Sequence, residues 1–478
     1  MNKYQVIGHS VPRIDAREKI TGKAIFASDF KLPGMLYGKV LRSPYPHARI
    51  LNIDTSAAER LPGVKTVVTA KDTLQVKYGP MIPDEQVLAV DKVRYIGDEI
   101  AIVAAVDEDT AEEALQLIKV EYDLLPAVFD PELAILEGAP LVHEAARNLA
   151  VSFTVNQGDV EEGFRQSDCI YEDRYQTPLV HQCYLEPITV VANYTFTGDL
   201  TIWAASQEPF IARHEIAQVL GMPESKVRII QPYGGGGFGG KCDQKLLLVA
   251  AVLAKQAMAP IRLANTRAEE FYATRPRLPM VFYMKTGVKR DGTLMAKEVR
   301  VIADNGAYSS QGPPTLSVAA IRSDSLYRFK NVRTEASLVY TNKVPTGAFR
   351  GFGNPQAHFA LESHLDAIAY QIGMDPIELR LKNATQKGDV TAHGWRMDSC
   401  GLSECIHKVA DAAGWQEKRG PKEGLEPGKV RGIGAACMIH VSGNRSVCNE
   451  YDGSSAFVQI HLDGRVTVLC GDPDIGQG

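Results

Sequence analysis

The 478-residue sequence predicts an α+β fold, that is, a mixed α/β protein, on three patterns along the chain. A continuous apolar run at residues 100–106 predicts a buried strand, and residues 110–118 have the periodicity of an amphipathic helix. Further on, strand-like runs at residues 281–289 and 294–302 flank an Asp-Gly pair at residues 291–292, which is typical of a hairpin turn. Strands and helices are therefore mixed along the chain.

Length and composition describe an ordinary globular protein. At roughly 150 residues per domain, the chain has room for about three domains. Hydrophobic residues make up 45% and charged residues 23%, and the net charge of −5 comes without a basic run, which argues against nucleic acid as the main partner. The start of the chain has no apolar signal segment, and the apolar run at residues 246–254 is far shorter than the ~20 residues that span a bilayer. We expect a cytoplasmic protein without a membrane span.

The cysteines and histidines give no metal motif. None of the eight cysteines forms a C-x-x-C pair, and the 11 histidines contain no H-x-x-x-H. The scatter of the cysteines predicts free thiols in a reducing compartment and argues against a zinc or iron–sulfur site on this chain alone. No residue of the chain is therefore expected to ligate a metal directly.

The individual elements follow from local signals. Thr110 and Glu113 form a capping-box pattern that is expected to open the first long helix. A strand resumes at residues 120–122, and runs at residues 190–194 and 200–204 flank a Gly-Asp pair that predicts a second hairpin.

The later part of the chain adds two helices and three strands. Asn354 is the expected cap of a helix with proline at its first position, and an apolar stripe follows at Leu361, Leu365, Ile368 and Ile372. Asp375 restarts a helix in the same way. Strands are expected in three further runs, the last two joined by an Asp-Gly turn: residues 432–440, 456–462 and 466–470.

A glycine-rich loop, GGGGFGGK at residues 234–241, joins a predicted strand at residues 227–231 to a predicted helix at residues 243–258. Glycines let the backbone approach a ligand closely, and the start of a helix offers unpaired N–H groups to an anion. A tight turn without a ligand is the simpler interpretation, but it needs fewer than six glycines in seven positions. The loop therefore favours a ligand-binding role.

Two phosphate-binding motifs match this loop by glycine density. The dinucleotide fingerprint fits Gly234, Gly236 and Gly239, but no acidic residue closes a second strand about 20 residues on. The Walker A spacing fits up to Lys241, but Cys242 stands where a Ser or Thr hydroxyl should hold Mg²⁺. Both motifs are weak here, and a P-loop-like nucleotide-binding NTPase remains an alternative.

Three other segments share this character. Gln207 lies just past the strand at residues 200–204, where its amide could face a pocket. A second glycine-rich turn, GAFRGFG at residues 347–353, carries Arg350 between Phe349 and Phe352. An arginine in this setting favours a ligand or cofactor role over a solvated surface role. A third glycine-rich element lies at residues 476–478.

Together these segments resemble the N-terminal portion of the molybdenum-binding large subunit of the xanthine dehydrogenase/aldehyde oxidase family, the molybdenum hydroxylases. The similarity runs through nearly the whole chain in the right order. The matching stretches are KITGKA (19–24), LRSP (41–44), PHAR (46–49), VRYIGD (93–98), GGGFGGK (235–241), the run 342–350, GAFRGFGNPQ (347–356) and DIGQG (474–478).

The resemblance implies a domain organisation. Residues 1–130 would form a small α/β hammerhead domain. Mixed α/β domains that bind molybdopterin would follow, the first at residues 150–400 and the incomplete start of the second at residues 401–478.

The resemblance also implies roles for individual residues. Gln207 matches the glutamine that hydrogen-bonds the apical oxo group on molybdenum, and Arg350 matches the arginine beside the metal, so both are expected to be catalytic and to bind the cofactor. Phe352 matches the aromatic residue that stacks on a flat substrate, and Cys242 is expected to face the substrate. The other expected cofactor-binding residues are Gly236, Gly237, Phe238, Gly239, Gly476, Gln477 and Gly478.

The implied cofactor is molybdenum–molybdopterin in the cytosine dinucleotide form usual for bacterial members. Its phosphates would give the glycine-rich elements an anion to bind. Enzymes of this family hydroxylate an electron-poor carbon of a small-molecule substrate with oxygen from water, and the electrons pass through [2Fe–2S] clusters to FAD. Because this chain carries no cluster motif, a [2Fe–2S] subunit and an FAD-binding subunit are the expected partners in a hetero-oligomeric oxidoreductase.

The sequence departs from the family pattern at its C-terminal end. The family's catalytic glutamate lies in a later glycine-rich loop, beyond Gly478. We expect either that a second molybdopterin subunit supplies it, as in nicotinate dehydrogenase, or that the chain is truncated, and an ending in a cofactor-binding Gly-Gln-Gly favours truncation. An inactive cofactor-binding scaffold is a further alternative.

The second departure concerns the substrate. Xanthine-oxidising members have a glutamate where this chain has Cys242, and the arginine that pairs with purine has no clear counterpart, since Arg322 is displaced. The turn at residues 348–352 lacks the cysteine-bearing loop of carbon monoxide dehydrogenases. The resemblance leaves three substrate classes open: an aromatic N-heterocycle of xanthine-, purine- or nicotinate-like kind, an aldehyde, or an aromatic thioester.

Overall fold

The computed structural model describes residues 4, 7–144, 147–420, 426–440, 455–471, 474, 476 and 477. The strands of these residues are β1 Leu36–Arg42, β2 Ala48–Asp54, β3 Val64–Thr69, β4 Lys92–Val93, β5 Glu99–Ala105, β6 Lys119–Leu124, β7 Leu149–Gln157, β8 Cys169–Thr177, β9 Thr189–Tyr194, β10 Leu200–Ala204, β11 Val227–Ile230, β12 Ile261–Ala264, β13 Met280–Val288, β14 Leu294–Gly306, β15 Asn331–Tyr340, β16 Ala456–Ile460 and β17 Val466–Cys470.

The α-helices of the same residues alternate with these strands, so the predicted mixed α/β class is confirmed. They are α1 Ala16–Ile20, α2 Ser56–Glu59, α3 Glu108–Leu117, α4 Pro131–Ala134, α5 Val160–Arg165, α6 Pro209–Leu220, α7 Lys245–Ala257, α8 Arg267–Ala273, α9 Gly312–Arg322, α10 Asn354–Ile372, α11 Pro376–Asn383, α12 Leu402–Ala413 and α13 Trp415–Lys418. No helix in the described part of the chain is long and apolar enough to cross a membrane.

A seven-stranded mixed sheet carries the N-terminal core, with the strand order β11-β10-β9-β12-β1-β5-β3. Within it, β1 pairs in parallel with β12, which lies more than 200 residues later in the chain. Helix α7 packs on this sheet, and its residues 246–254 are all buried. Strands from the first 130 residues and from the following block therefore share one sheet.

A three-stranded sheet, β4-β2-β6, lies beside helix α3 in the N-terminal part. The predicted strands at residues 100–106 and 120–122 are confirmed as β5 and β6. The predicted capping box at Thr110 and Glu113 is wrong, because α3 already begins at Glu108. The carboxylate of Asp107 accepts a hydrogen bond from the Thr110 backbone N–H at 2.8 Å and caps the helix three residues earlier than expected.

A five-stranded sheet, β7-β15-β14-β13-β8, forms the second core together with α9 and α10. The predicted hairpins are confirmed as the antiparallel pairs β13–β14 and β9–β10. The apolar stripe of α10 is also confirmed: Leu361, Leu365 and Ile368 are at most 1% exposed.

The start of α10 differs by one residue from the expectation. Gly353, with φ of +93°, is the N-cap, and Asn354 is the first helical residue. The Asn354 side chain donates to the carbonyl of Gly351 at 2.9 Å instead of capping the helix. Helix α11 follows as predicted, with Asp375 accepting from the backbone N–H of Ile377 at 2.7 Å.

The C-terminal strands are confirmed only in part. Residues 456–470 form the hairpin β16–β17. The strand expected at residues 432–440 is wrong, because this segment pairs with no neighbouring strand of the described residues. Instead, the backbone N–H of Cys437 donates to Glu362 of α10 at 2.9 Å, and the His440 side chain contacts Asn354 at 2.7 Å. Side-chain contacts with α10 therefore replace a sheet partner.

Buried ion pairs join the N-terminal block to the rest of the chain. Arg275 donates to both carboxylate oxygens of Glu85, at 2.8 and 2.7 Å. Lys245 of α7 lies 3.0 Å from Glu85 and 3.1 Å from Glu99 of β5, and Arg42 of β1 lies 2.5 Å from Glu99. These side chains are almost completely inaccessible, so their charges compensate one another inside the protein.

Candidate functional site

A cleft of about 1510 Å³ lies where the glycine-rich turns meet. Its wall contains ten of the eleven site residues predicted from the sequence, and the eleventh, Gly478, lies outside the described residues. The ten are Gln207, Gly236, Gly237, Phe238, Gly239, Cys242, Arg350, Phe352, Gly476 and Gln477. Segments that are far apart in the chain therefore form one site, although the role of each residue stays a prediction.

Gln207 is fixed by the glycine-rich loop. Its side-chain oxygen accepts hydrogen bonds from the backbone N–H groups of Gly239 at 2.8 Å and Lys241 at 3.3 Å, and its own backbone N–H donates to the Lys241 carbonyl at 2.9 Å. Its amide NH₂ group forms no hydrogen bond with any described residue. The loop thus orients the amide and leaves its donor available at the wall of the cleft.

The two glycine-rich turns touch each other through their backbones. The Arg350 N–H donates to the Phe238 carbonyl at 2.9 Å. A Cβ atom on Gly239 would lie 2.5 Å from the Ala348 carbonyl oxygen, so only glycine fits there. Behind the contact, the buried Gln182 amide donates to the carbonyls of Ala348 at 2.8 Å and Arg275 at 2.7 Å.

Two phenylalanines of these turns have a left-handed backbone. Phe238 has φ of +53° and Phe352 has φ of +48°, and both stand between glycines. Bulky side chains rarely adopt this conformation, and it concentrates at ligand-binding sites where the surroundings impose it. Both residues line the cleft, so the strain lies at the site itself.

The wall offers hydrogen-bond donors that have no partner among the described residues. The backbone N–H groups of Gly236, Gly237 and Phe238 make no hydrogen bond within the described ranges. The Arg350 guanidinium is exposed and likewise forms no hydrogen bond or ion pair with any residue that the structure describes. Successive unpaired N–H groups beside a guanidinium suit an anion such as a phosphate.

Three family models match the chain. Residues 142–384 and 408–478 match two models that each describe a molybdopterin cofactor-binding domain. Residues 21–126 match the α/β hammerhead domain of aldehyde oxidase and xanthine dehydrogenase. The chain belongs to the xanthine dehydrogenase and aldehyde oxidase family. Within that family it is a molybdenum-cofactor-binding chain, as the sequence resemblance predicted.

Individual relatives agree with this assignment to the xanthine dehydrogenase family. The large molybdopterin subunit of nicotinate dehydrogenase from Eubacterium barkeri is 40% identical over 86% of this chain and 97% of its own length. A probable xanthine dehydrogenase subunit from Bacillus subtilis is 38% identical over 98% of this chain, which spans only 62% of that relative. The structure of carbon monoxide dehydrogenase from Oligotropha carboxidovorans superposes with a TM-score of 0.90 at 28% identity, over 98% of this chain and 63% of the other.

The cleft fits the cofactor that this family binds. Its volume exceeds the 300–1,000 Å³ or so of an ordinary small-molecule pocket, which leaves room for a large cofactor beside a substrate. Glycines keep the backbone open: a Cβ on Gly236 would lie 3.1 Å from the Phe238 ring. The unpaired N–H groups and Arg350 supply donors for phosphate oxygens. The residues present thus match a phosphate-bearing pterin.

Lys241 does not behave as the lysine of a P-loop. Its ammonium group is buried and lies 2.5 Å from the Glu186 carboxylate and 5.2 Å from the centre of the Tyr184 ring. Lys241 is not part of the cleft wall. The loop also continues through a short 3₁₀ helix, Gly240–Cys242, so that α7 begins at Lys245, two residues later than predicted. The geometry therefore does not support the NTPase alternative.

Some residues of the cleft wall were not predicted from the sequence. Glu208 directly follows Gln207, and Gln311 precedes α9, but neither belongs to a glycine-rich turn. Their position depends on the tertiary arrangement, and only adjacency to Gln207 could have pointed to Glu208. Arg322, the displaced arginine, is 1% exposed and does not line the cleft. Burial raises the pKa of the Cys242 thiol well above its usual range, so this side chain is a neutral thiol.

Proposed function

We propose that this chain is the molybdenum-cofactor-binding subunit of an oxidoreductase that hydroxylates a small molecule with oxygen from water. The substrate is an aromatic N-heterocycle of the xanthine, purine or nicotinate kind, or an aldehyde. The observation that supports this most strongly is the convergence of Gln207, Arg350, Phe352 and the two glycine-rich turns on one cleft.

The cofactor, when bound, supplies the redox and oxygen-transfer chemistry. The chain contributes positioning and electrostatics. The N–H groups of Gly236 and Gly237, with Arg350, would bind phosphate oxygens of the cofactor, and the proposed cytosine dinucleotide form would occupy the cleft. The oriented amide of Gln207 would donate a hydrogen bond to an acceptor atom of the cofactor. Gly476 lies against this loop, since a Cβ on it would be 3.2 Å from the Gly234 carbonyl oxygen, which supports its cofactor-binding role.

The substrate side of the proposed site is aromatic. Phe352 is half-buried in the wall and provides a flat surface on which a ring can stack. The neutral Cys242 thiol adds a small, weakly polar contact. These two residues suit a planar, uncharged ring better than a flexible chain.

The exposed faces of the hairpin β16–β17 indicate that further strands pack on the second molybdopterin domain. Phe457 and Ile460 are each 75% exposed, and neither face of the hairpin is covered by a described residue. A two-stranded hairpin is marginal alone, so additional strands are needed to cover it. We propose that these strands, together with the catalytic glutamate, come from a longer form of the chain or from a second molybdopterin subunit.

The electron-transfer partners are a [2Fe–2S] subunit and an FAD-binding subunit. The described residues contain no group of three His, Cys, Asp or Glu side chains arranged to hold a metal ion. The seven described cysteines are free thiols, which supports a cytoplasmic location for the complex.

Replacing Arg350 by alanine tests this function. In the complex co-expressed with its partners, Arg350→Ala is expected to lower cofactor content or to reduce turnover about 100-fold, because an electrostatic donor at the cofactor is lost. Molybdenum by mass spectrometry, CMP released by acid, and turnover are measured per chain. The matched control is Arg165→Ala, which removes an arginine 70% exposed on α5. Unchanged cofactor content together with unchanged turnover in Arg350→Ala would contradict the assignment.

A further inference from the structure

Glu208 places a carboxyl group in the cleft wall. The proposed function gives this carboxyl no role. It is the N-cap residue of α6 and directly follows Gln207. Both of its carboxylate oxygens accept from the Gln311 amide, at 3.2 and 2.9 Å, and Gln311 is only 8% exposed. The carboxyl is therefore held in place at the wall by a buried amide.

Among the described residues, this carboxyl has no cationic partner. None of the lysines, arginines and histidines within the described ranges forms an ion pair with Glu208. A small cavity adjoins Glu208, and Glu85, Glu215, Asp243 and Arg275 are among its lining residues. Its cation, Arg275, is already paired with Glu85 and lies 3.6 Å from Asp243. The Gln311 amide and the Cys242 thiol leave further lone pairs of the carboxylate available. A ligand in the cleft can use them.

We propose that Glu208 contacts the substrate and selects neutral heterocycles that carry a ring N–H over aromatic carboxylates. The inference rests on the proposed function and narrows its substrate class. An uncompensated carboxylate accepts a hydrogen bond from a ring N–H, whereas it repels a carboxylate substituent at the same wall. A hydrogen-bonding group of this kind discriminates more strongly than an apolar contact does.

The protonation of Glu208 adds a pH dependence. Burial raises its pKa to about 7, against weaker lowering by the Cys242 thiol and the Gln311 amide. Below about pH 7 the neutral form predominates and the repulsion of anions weakens, and above it the carboxylate strengthens that repulsion. Other titratable groups that share its small cavity are Tyr78, Glu85, Glu215, Asp243 and Arg275. The cleft wall also carries Arg13, Lys19, Arg350 and His440. All of these groups remain in the Glu208 variant used below.

The test compares two probes on the complete complex with its partners. Hypoxanthine is the neutral N–H heterocycle and nicotinate is the aromatic carboxylate, with Kd from equilibrium dialysis and with KM and kcat measured separately. The wild-type complex is expected to bind hypoxanthine more tightly than nicotinate. In Glu208→Gln, hypoxanthine is expected to bind about tenfold or more weakly and nicotinate equally or more tightly, at unchanged molybdenum content. The hypoxanthine preference should rise from pH 6 to pH 8 in the wild type and stay flat in the variant.

The matched control is Glu215→Gln. Glu215 also lies on α6 and is 3% exposed, but it borders the small cavity and not the cleft. This variant should keep the wild-type preference and its pH dependence. A merely structural role of Glu208 would change both probes equally or lower the molybdenum content.

The outcomes separate this inference from the proposed function. A complex that contains molybdenum and turns over a probe, but prefers nicotinate or shows the same preference in Glu208→Gln, overturns the inference alone. A complex without molybdenum overturns the proposed function and the inference with it.

Discussion

Replacing Gly239 by alanine is expected to remove most of the molybdenum cofactor from the complex. Gly239 has φ of +103°, and a Cβ there would lie 2.5 Å from the oxygen and 2.7 Å from the carbon of the Ala348 carbonyl. These are backbone atoms, so the two glycine-rich turns must separate. That movement breaks the hydrogen bond from Arg350 to Phe238 and disturbs the support of Gln207. A displacement of about 1 Å at such a site can cost about 100-fold in function.

The measurement is molybdenum and CMP per chain in the purified complex, with a fall of about tenfold or more expected for Gly239→Ala. The matched control is Gly198→Ala in the β9–β10 turn. Gly198 also has a positive φ, +78°, but its nearest neighbour to a new Cβ is the Tyr194 hydroxyl at 3.7 Å. The control carries the same type of backbone strain without the clash and should keep its cofactor. Equal cofactor content in the two variants would refute the proposed role of the turn–turn contact.

Replacing Arg275 by methionine is expected to cause the largest loss of stability. Arg275 is 2% exposed, and its ion pair with Glu85 offsets the free-energy cost of removing both charges from water. Although burial opposes ionisation, the charges of Arg275 and Lys245 keep the pKa of Glu85 below its usual value. Without the guanidinium, Lys245 is the one cation of the described residues that still pairs with Glu85, and Asp243 loses its ion pair with Arg275. Removing one partner of a buried pair typically costs about 3–5 kcal/mol.

Urea unfolding followed by circular dichroism measures this loss. The control is Lys226→Met, which breaks the surface pair between Lys226 and Asp199, whose side chains are 43% and 48% exposed. An exposed pair contributes less than about 1 kcal/mol. If Arg275→Met shifted the unfolding midpoint no more than the control does, the buried network would not hold the N-terminal block in place.

Local patterns predicted the local parts of the fold. The Asp-Gly pair at residues 291–292 identified the β13–β14 hairpin, and the apolar stripe identified the buried face of α10. The predicted helix starts were less accurate, since Asp107 caps α3 three residues before Thr110, where the capping-box pattern placed the start. The prediction of a strand at residues 432–440 was wrong because a strand needs the edge of a neighbouring strand to pair with. Helix α10 contacts this segment instead.

Contacts between distant parts of the chain could not be predicted from local sequence patterns. The parallel pairing of β1 with β12 depends on tertiary packing and leaves no signal in either strand alone. The glycine-rich turns and Arg350 were visible in the sequence because their composition is unusual. Glu208 and Gln311 were not, because an isolated glutamate or glutamine is ordinary until the fold brings it to the cleft. The Walker-like spacing was misleading because the pairing of Lys241 with Glu186 depends on the fold and cannot be inferred from spacing.

The central claim is that the cleft holds a molybdenum cofactor, and metal and nucleotide analysis of the wild-type complex tests it most directly. The protein is purified with its co-expressed partners, and molybdenum and acid-released CMP are measured against chain concentration. We predict both in amounts equimolar with the chain. A folded complex that lacks molybdenum and CMP, and that binds Mg·ATP instead, would contradict the claim.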